Sequence, residues 1–125
     1  MNQTVEIDQL EGIISRLLEE YGDEVSSILD EEARDCAEKA KKAVQDAAPV
    51  DTGKYRDSIS VKSQGKAQIV YAQAPYHALT HLLEYGHATA GGTGRTQAFP
   101  HWKKGEEYIL ETFEKNVKKR IEDDT

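Results

Sequence analysis

The sequence lacks several features that whole classes of protein need. It holds one cysteine, Cys36, so no internal disulfide bond can form, and a reducing compartment suits the chain. Its first ten residues, MNQTVEIDQL, are acidic and lack the apolar segment of a signal peptide. No stretch approaches the roughly 20 apolar residues that span a bilayer. These absences predict a protein made in the cytoplasm, with no membrane contact.

Basic residues are also scarce in the first half of the chain. Residues 1–57 carry 15 acids and 7 bases, residues 58–125 carry 8 acids and 9 bases, and the net charge is -7. Because DNA phosphates are held by lysine and arginine, the first half is poorly suited to grip DNA. The one basic run, Lys115 to Arg120, leaves a small nucleic-acid-binding protein as the alternative function, although such runs are usually solvated helix ends.

The apolar pattern predicts one α+β domain over residues 1–125. Apolar residues recur every three or four positions from Ile7 to Ala47, which predicts a long N-terminal helix over 6–47 that Gly22 and Asp23 can break or bend. The second part of this helix carries small residues that let another backbone approach closely, namely Ala33, Ala37, Ala40, Ala43 and Ala47. Packing on its own domain and packing on a neighbouring subunit both stay open.

Shorter elements follow in the second half. The alternating stretches SISVK and QIVYAQ, separated by Gly65, predict an antiparallel β-hairpin over 58–73. A short helix is predicted over 77–86 with Gly86 as its C-cap, and a glycine-rich loop over 87–100 is long enough to suggest a function. Apolar spacing from Trp102 to Ile121 predicts an amphipathic C-terminal helix over 101–122.

The loop sequence HATAGGTGRTQAFPHW invites comparison with a phosphate-binding loop. A P-loop needs glycine five positions before its Gly-Lys-Ser/Thr end, whereas Thr89 stands there and Arg95 replaces the lysine. No apolar strand precedes the loop. We therefore predict a protein-contact loop, whose contact residues are Gly91, Gly92, Thr93, Gly94, Arg95 and Thr96.

A second pattern, VDTG at residues 50–53, contains the Asp-Thr-Gly of aspartic proteases. Those enzymes pair two such aspartates in an all-β fold, whereas here a single copy closes a long helix. A turn is simpler, in which Asp51 and Thr52 hydrogen-bond to nearby backbone and Gly53 is left-handed.

The sequence also shows no specific pattern for a metal site or for a nucleophilic catalytic residue. Zinc sites need three or four ligands at characteristic spacing. The histidines have a permissive spacing only, and they are His77, His81, His87 and His101. Cys36 lies on the apolar stripe and is predicted to be a small core residue. The sequence predicts no enzyme, no metal and no cofactor.

Several blocks of sequence together resemble the bacteriophage tail-component family. One block follows the family's Pro-x-x-Thr-Gly-x-Tyr/Leu-x-x-Ser pattern with Pro49, Thr52, Gly53, Tyr55 and Ser58. Another follows its Leu-Thr-His-Leu-Leu-Glu-x-Gly-His pattern with Leu79, Thr80, His81, Leu82, Leu83, Glu84, Gly86 and His87. A glycine pair and a Pro-His pair complete the order, with Gly91, Gly92, Pro100 and His101. The loop departs from the family, whose members often carry Gly-Gly-Arg-Val there, so its contacts can differ.

The resemblance implies a non-enzymatic structural component of the virion neck, which joins the head connector to the tail. Such a protein would act as a ring of copies around the DNA channel, with neighbouring connector and tail proteins as further partners and passive contact with DNA. His81, Glu84, His87 and His101 would then fix the base of the loop by hydrogen bonds. The acidic helix faces either line the channel, where like charge repels DNA, or are simply solvated.

Overall fold

The computed structural model describes residues 6–50, 52–89, 91–92 and 94–123. The helices are α1 (Leu10–Tyr21), α2 (Ser26–Ala47), α3 (Lys54–Asp57), α4 (Thr80–Tyr85) and α5 (His101–Asp123). Strands β1 (Ile59–Gln64) and β2 (Ala67–Ala72) pair antiparallel, and 3₁₀ turns lie at Asp23–Val25 and Tyr76–Leu79. The α+β fold class is confirmed. No helix in this part of the chain is long and apolar enough to cross a bilayer.

The predicted N-terminal helix is interrupted at Gly22, one of the two positions where the sequence allows a break. Gly22 has a φ of 84°, which glycine adopts without a steric penalty, and its N–H donates to the Leu18 carbonyl at 2.8 Å. A 3₁₀ turn follows, and α2 begins at Ser26.

Ile7 corrects the predicted start of this helix. Its backbone exchanges two hydrogen bonds with Val70, at 3.0 and 3.2 Å, along the edge of β2 that β1 leaves open. The side chain of Ile7 is buried in the same core as the helical stripe, so its spacing matched the helical pattern although its backbone pairs with a strand.

Helices α2 and α5 form an antiparallel pair that supplies half of the core residues in the described chain. Gly105 near the start of α5 faces Ala40 and Val44, whereas Arg120 near its end pairs with Glu31 at 2.6 Å. The small face of α2 is buried within its own chain at Ala33, Ala37 and Ala40, and the large residues of α5 fill the space beside it, namely Trp102, Ile109, Phe113 and Val117. This part of the small face therefore packs within its own domain, whereas Ala43 is half-buried and Ala47 is exposed.

Cys36 lies in this core, as predicted. It is buried, its Sγ is 4.0 Å from Thr112 Oγ1, and burial raises the pKa of its thiol to about 11. A thiol held protonated in this way is a poor nucleophile and metal ligand.

The β-hairpin covers one side of the helices. Ile59 pairs with Ala72 and Gln64 with Ala67, so Gly65 and Lys66 form a two-residue turn in which Gly65 has a φ of 63°. Strand β2 is buried along most of its length between the Ile7 segment and β1, whereas the second half of β1 is exposed.

Gly105 and Gly12 give a matched test of the contact between α2 and α5. A Cβ on Gly105 would lie 2.6 Å from Val44 Cγ2 and 3.1 Å from the Ala40 carbonyl oxygen, whereas one on Gly12 meets nothing within 4 Å. Overpacking costs roughly 1–3 kcal/mol, and alanine is preferred over glycine in helices by about 1 kcal/mol.

We therefore expect Gly105→Ala to lower the free energy of unfolding by about 1 kcal/mol, and Gly12→Ala to raise it. Urea unfolding of both variants measures the two effects. Equal stability gains in the two variants would contradict the close approach of α5 to α2.

Candidate functional site

Three residues that are far apart in the sequence meet at one end of the helical pair. Tyr55 lies in α3 after the Thr-Gly turn, Glu84 lies in α4, and His101 is the first residue of α5. His101 and Glu84 are 0% and 5% exposed, and Tyr55 is also buried. Each belongs to a different sequence block of the family resemblance, so the fold brings those blocks together in one buried polar cluster.

Glu84 caps α5 from a neighbouring helix. Its Oε1 accepts the Trp102 N–H at 2.8 Å, and its Oε2 accepts the Lys103 N–H at 3.1 Å. The first N–H groups of a helix have no partner within the helix and carry its positive dipole end. One carboxylate therefore satisfies two such donors and places its negative charge where the helix stabilises it.

The side chains around Glu84 form a directed series of hydrogen bonds. The Trp102 Nε1–H donates to the Tyr55 hydroxyl at 3.1 Å, and that hydroxyl lies 2.7 Å from His101 Nε2. Because the hydroxyl has one proton, we assign it to His101 Nε2, which puts the imidazole proton on Nδ1. Nδ1 lies 3.1 Å from Glu84 Oε1 and 2.5 Å from the Phe99 carbonyl oxygen.

These contacts set the protonation states of the cluster. Burial would raise the pKa of Glu84, but the hydrogen bonds from His101, Trp102 and Lys103 outweigh burial and lower the pKa below its ordinary value. Burial raises the pKa of Tyr55 to about 12, against the opposing effect of the Trp102 hydrogen bond. Glu84 is thus ionised and Tyr55 neutral at physiological pH.

A buried Glu–His–Tyr cluster could suggest acid–base catalysis. Here both carboxylate oxygens already accept hydrogen bonds, and His101 and Glu84 are shielded from solvent, so a substrate cannot reach either group. No group of three or more potential ligands among the described residues could hold a metal ion. The arrangement can orient helices and hold a backbone segment in place.

The turn before α3 has the predicted geometry. Gly53 has a φ of 85° in the left-handed region, and Thr52 Oγ1 accepts the Lys54 N–H at 3.3 Å. Pro49 lies just after α2, where Ala48 is already extended. Asp51, the other predicted turn residue, lies outside the described residues.

The predicted loop over 87–100 begins as a short hydrogen-bonded ribbon, which we define as residues 87–96. The Thr96 N–H donates to the His87 carbonyl at 2.8 Å, the Thr89 N–H donates to the Gly94 carbonyl at 2.9 Å, and Ala88 bridges Arg95. Apart from Ala90 and Thr93, which lie outside the described residues, every residue of the ribbon is exposed. This arrangement presents Gly91, Gly92, Gly94, Arg95 and Thr96 to solvent.

Gly86 joins the ribbon to α4. It is the predicted C-cap of α4, and its φ is 72°. A Cβ on Gly86 would lie 2.6 Å from the Thr96 carbonyl oxygen, so only glycine lets the ribbon close there. The Arg95 Nη2 donates to the Gly86 carbonyl at 3.3 Å, and the Phe99 N–H donates to the Leu83 carbonyl at 2.7 Å.

The structure places the predicted loop-base residues in different surroundings. Glu84 and His101 meet, and Pro100 directly precedes α5. His87 forms backbone hydrogen bonds with Thr96, and its Nδ1–H donates to the Ala88 carbonyl at 2.9 Å. His81 lies on the exposed side of α4, where its ring is 5.1 Å from that of Tyr85. Within the described chain the side chain of His81 forms no hydrogen bond, so the structure gives no support to the prediction that it fixes the loop base.

Sequence reasoning missed two contributors to this end of the molecule. Trp102 was predicted as an apolar helix residue, yet its indole N–H and backbone N–H both belong to the cluster. Its position beside the Pro-His pair was the available signal. The other contributor is an exposed apolar surface, to which Val50, Leu79, Leu82 and Tyr85 belong.

Replacing the buried carboxylate tests the cap. Glu84→Gln keeps the shape but removes the charge, and its amide group brings a donor toward two backbone donors. We expect the free energy of unfolding to fall by about 1–3 kcal/mol. Glu111→Gln on the exposed face of α5 is the matched control and should change it by less than about 0.5 kcal/mol. Equal effects would contradict the cap.

The lowered pKa of Glu84 also predicts how stability depends on pH. The unfolded chain takes up the proton first, near the ordinary glutamate pKa of about 4.3, so the contribution of Glu84 is complete above that value. It is lost as pH falls through the folded-state pKa. The stability difference between wild type and Glu84→Gln, measured by urea unfolding at a series of pH values, should therefore shrink below about pH 4. A constant difference would contradict the lowered pKa.

Comparison with known protein families gives a match. The family model described as "Bacteriophage HK97-gp10, putative tail-component" matches residues 13–86, which run from α1 through the turn and hairpin to the glycine that ends α4. The ribbon and α5 follow the matched segment. No curated protein and no solved structure matches the chain. Because the match covers more than half of the 125 residues, the chain belongs to this family of bacteriophage tail components.

Proposed function

We propose that the protein is a structural, non-enzymatic part of the virion neck that joins the head connector to the tail. It acts there as a ring of copies around the DNA channel, in contact with neighbouring connector and tail proteins. Family membership supports a structural tail component, and the neck position and the ring are the finer part of the proposal.

The proposal rests on one observation, which is how the fold uses the buried polar side chains of Glu84 and His101. Glu84 and His101 hold α4 and α5 together, and the segment between these helices begins as an exposed ribbon. A fold that uses a buried Glu–His pair to hold two helices, and presents backbone and short polar side chains between them, suits a protein that binds other proteins.

The alternative, a nucleic-acid-binding protein, is less well supported. In the basic run at the end of α5, Lys118 pairs with Glu114 at 3.0 Å, and Arg120 pairs with Glu31 at 2.6 Å and Glu32 at 3.6 Å. Acidic neighbours therefore offset part of the charge that would release counterions from DNA. With a net charge of -7, the chain suits passive contact with DNA in a channel.

Deletion of the reading frame from its phage tests this proposal. Electron microscopy of the lysate should show full heads and separate finished tails, because the joint between them is missing. Expression of the wild-type protein in trans is the control and should restore joined particles. Normal, infectious virions without the protein would contradict the structural function.

A further inference from the structure

We propose that the segment before Ile7 extends along the open edge of β2 as a third strand, in which Val5 pairs with Ala72. The surface is the edge of β2 that β1 leaves free, and its partner is the N-terminal segment of the same chain. Residues 1–5 lie outside the described residues, and the support for this pairing comes from β2, Glu6 and Ile7. The pairing does not depend on the proposed neck function.

The edge of β2 is open at Ala72. The Gln73 N–H donates to the Ser58 carbonyl at 2.9 Å, and in an antiparallel pair such hydrogen-bonded residues alternate with residues whose backbone groups point outward. The N–H and C=O of Ala72 therefore face away from β1. They point the same way as those of Val70, which bond to Ile7 at 3.0 and 3.2 Å. No hydrogen bond from another described residue reaches the two Ala72 groups.

This open position is buried. Ala72 is 5% exposed, so little water reaches its backbone. Buried backbone N–H and C=O groups in folded proteins are almost always paired. The edge therefore needs one more hydrogen-bonding residue, next to the one that Ile7 supplies.

The bridge between Ile7 and Val70 fixes which residue that is. The bridge is antiparallel, so a step back along the chain from Ile7 is a step forward along β2. Two steps bring Val5 opposite Ala72, in a position where each residue donates to and accepts from the other. At about 3.3 Å per residue, an extended segment from Ile7 to Val5 covers the same distance as β2 from Val70 to Ala72.

Glu6 already has the orientation of a strand residue. Its Oε1 lies 3.9 Å from Lys62 Nζ, and that ammonium lies 4.6 Å from the centre of the Tyr71 ring. Tyr71 is on the face of the sheet opposite Val70, whereas the side chain of Ile7 is buried in the core with Val70. Successive side chains of a strand point to opposite faces. The strand alternation on this edge therefore includes Glu6 as well as Ile7.

The sequence before Glu6 continues the same alternation. In this pairing Val5 faces the core beside Ala72, and Thr4 shares the outer face with Glu6. An apolar residue thus falls on the core side and a polar one on the solvent side. Thr, Val and Ile are β-branched residues, which are enriched in strands.

The pairing closes this edge of the sheet. An open strand edge can take up a strand of another chain, which leads to unwanted association. With its own N-terminal segment in place, β2 is paired on both sides, and another protein cannot add a strand there.

Two proline variants test the register. The Val5 N–H donates to Ala72 in the proposed pairing, whereas the Thr4 N–H points away from β2. Because proline has no N–H, Val5→Pro breaks the pairing, and Thr4→Pro, the matched control, leaves it intact. Amide hydrogen exchange of the full chain, followed by nuclear magnetic resonance, measures the protection of the Ala72 N–H. The amide of Ala37 in the core of α2 reports global stability.

We expect the Ala72 amide to be protected in wild type and in Thr4→Pro, and to exchange at least about tenfold faster in Val5→Pro, while exchange at Ala37 is unchanged. An unprotected Ala72 amide in wild type would overturn the proposed pairing. Equal protection of Ala72 in the two variants would overturn it as well.

A mixture of isotope-labelled and unlabelled chains tests whether the strand comes from the same copy. Thr4 and Gln73 stand opposite each other in this register as a pair without mutual hydrogen bonds, where Hα atoms are close. We expect a nuclear Overhauser effect between their Hα atoms within one labelled chain. The same effect between labelled and unlabelled copies would overturn the pairing within one chain. The neck function is tested separately by the deletion phenotype.

Discussion

The carboxylate of Glu84 is the interaction on which this end of the molecule depends. A buried charge is costly unless donors stabilise it, and Glu84 accepts two backbone N–H groups from the first turn of α5 and has the ring of His101 beside it. The same contacts hold α4 against the first turn of α5, and Gly86 ends α4. The ribbon, residues 87–96, lies between the end of α4 and the start of α5, so its position on the body depends on a hydrogen-bonded anion in the interior.

The rest of the body gives that cluster a rigid frame. Small residues on α2 and Gly105 on α5 let the two long helices approach until side chain and backbone touch. Trp102 belongs to both regions, because its ring is in the apolar core while its two N–H groups serve the polar cluster. Core packing and the attachment of the ribbon therefore share Trp102, so a change that displaces its side chain affects both regions.

Much of the fold could be predicted from the sequence, but little of the buried cluster of Tyr55, Glu84 and His101 could. Periodicity sufficed for the helices, the hairpin and the C-cap at Gly86, since these depend on neighbours in the chain. The spacing of Ile7 wrongly predicted a helix at this position. The apolar pattern reports burial, and buried residues occur in strands as well as in helices. Tyr55 was predicted only as part of a family sequence block and Glu84 as part of a loop base. No local rule pairs Tyr55 with His101 across 46 residues. The ribbon was predicted as a loop because its glycines and threonines show no strand alternation.

The central claim is that the Glu84 cap holds the ribbon on the body, and amide hydrogen exchange tests it most directly. Exchange rates of the Trp102 and Lys103 amides and of the ribbon amides of Thr89 and Thr96 should be compared between wild type and Glu84→Gln. The account predicts faster exchange at all four sites in the variant, beyond the change at core amides such as that of Ala37. Unchanged protection of the ribbon, with faster exchange confined to the first turn of α5, would contradict it.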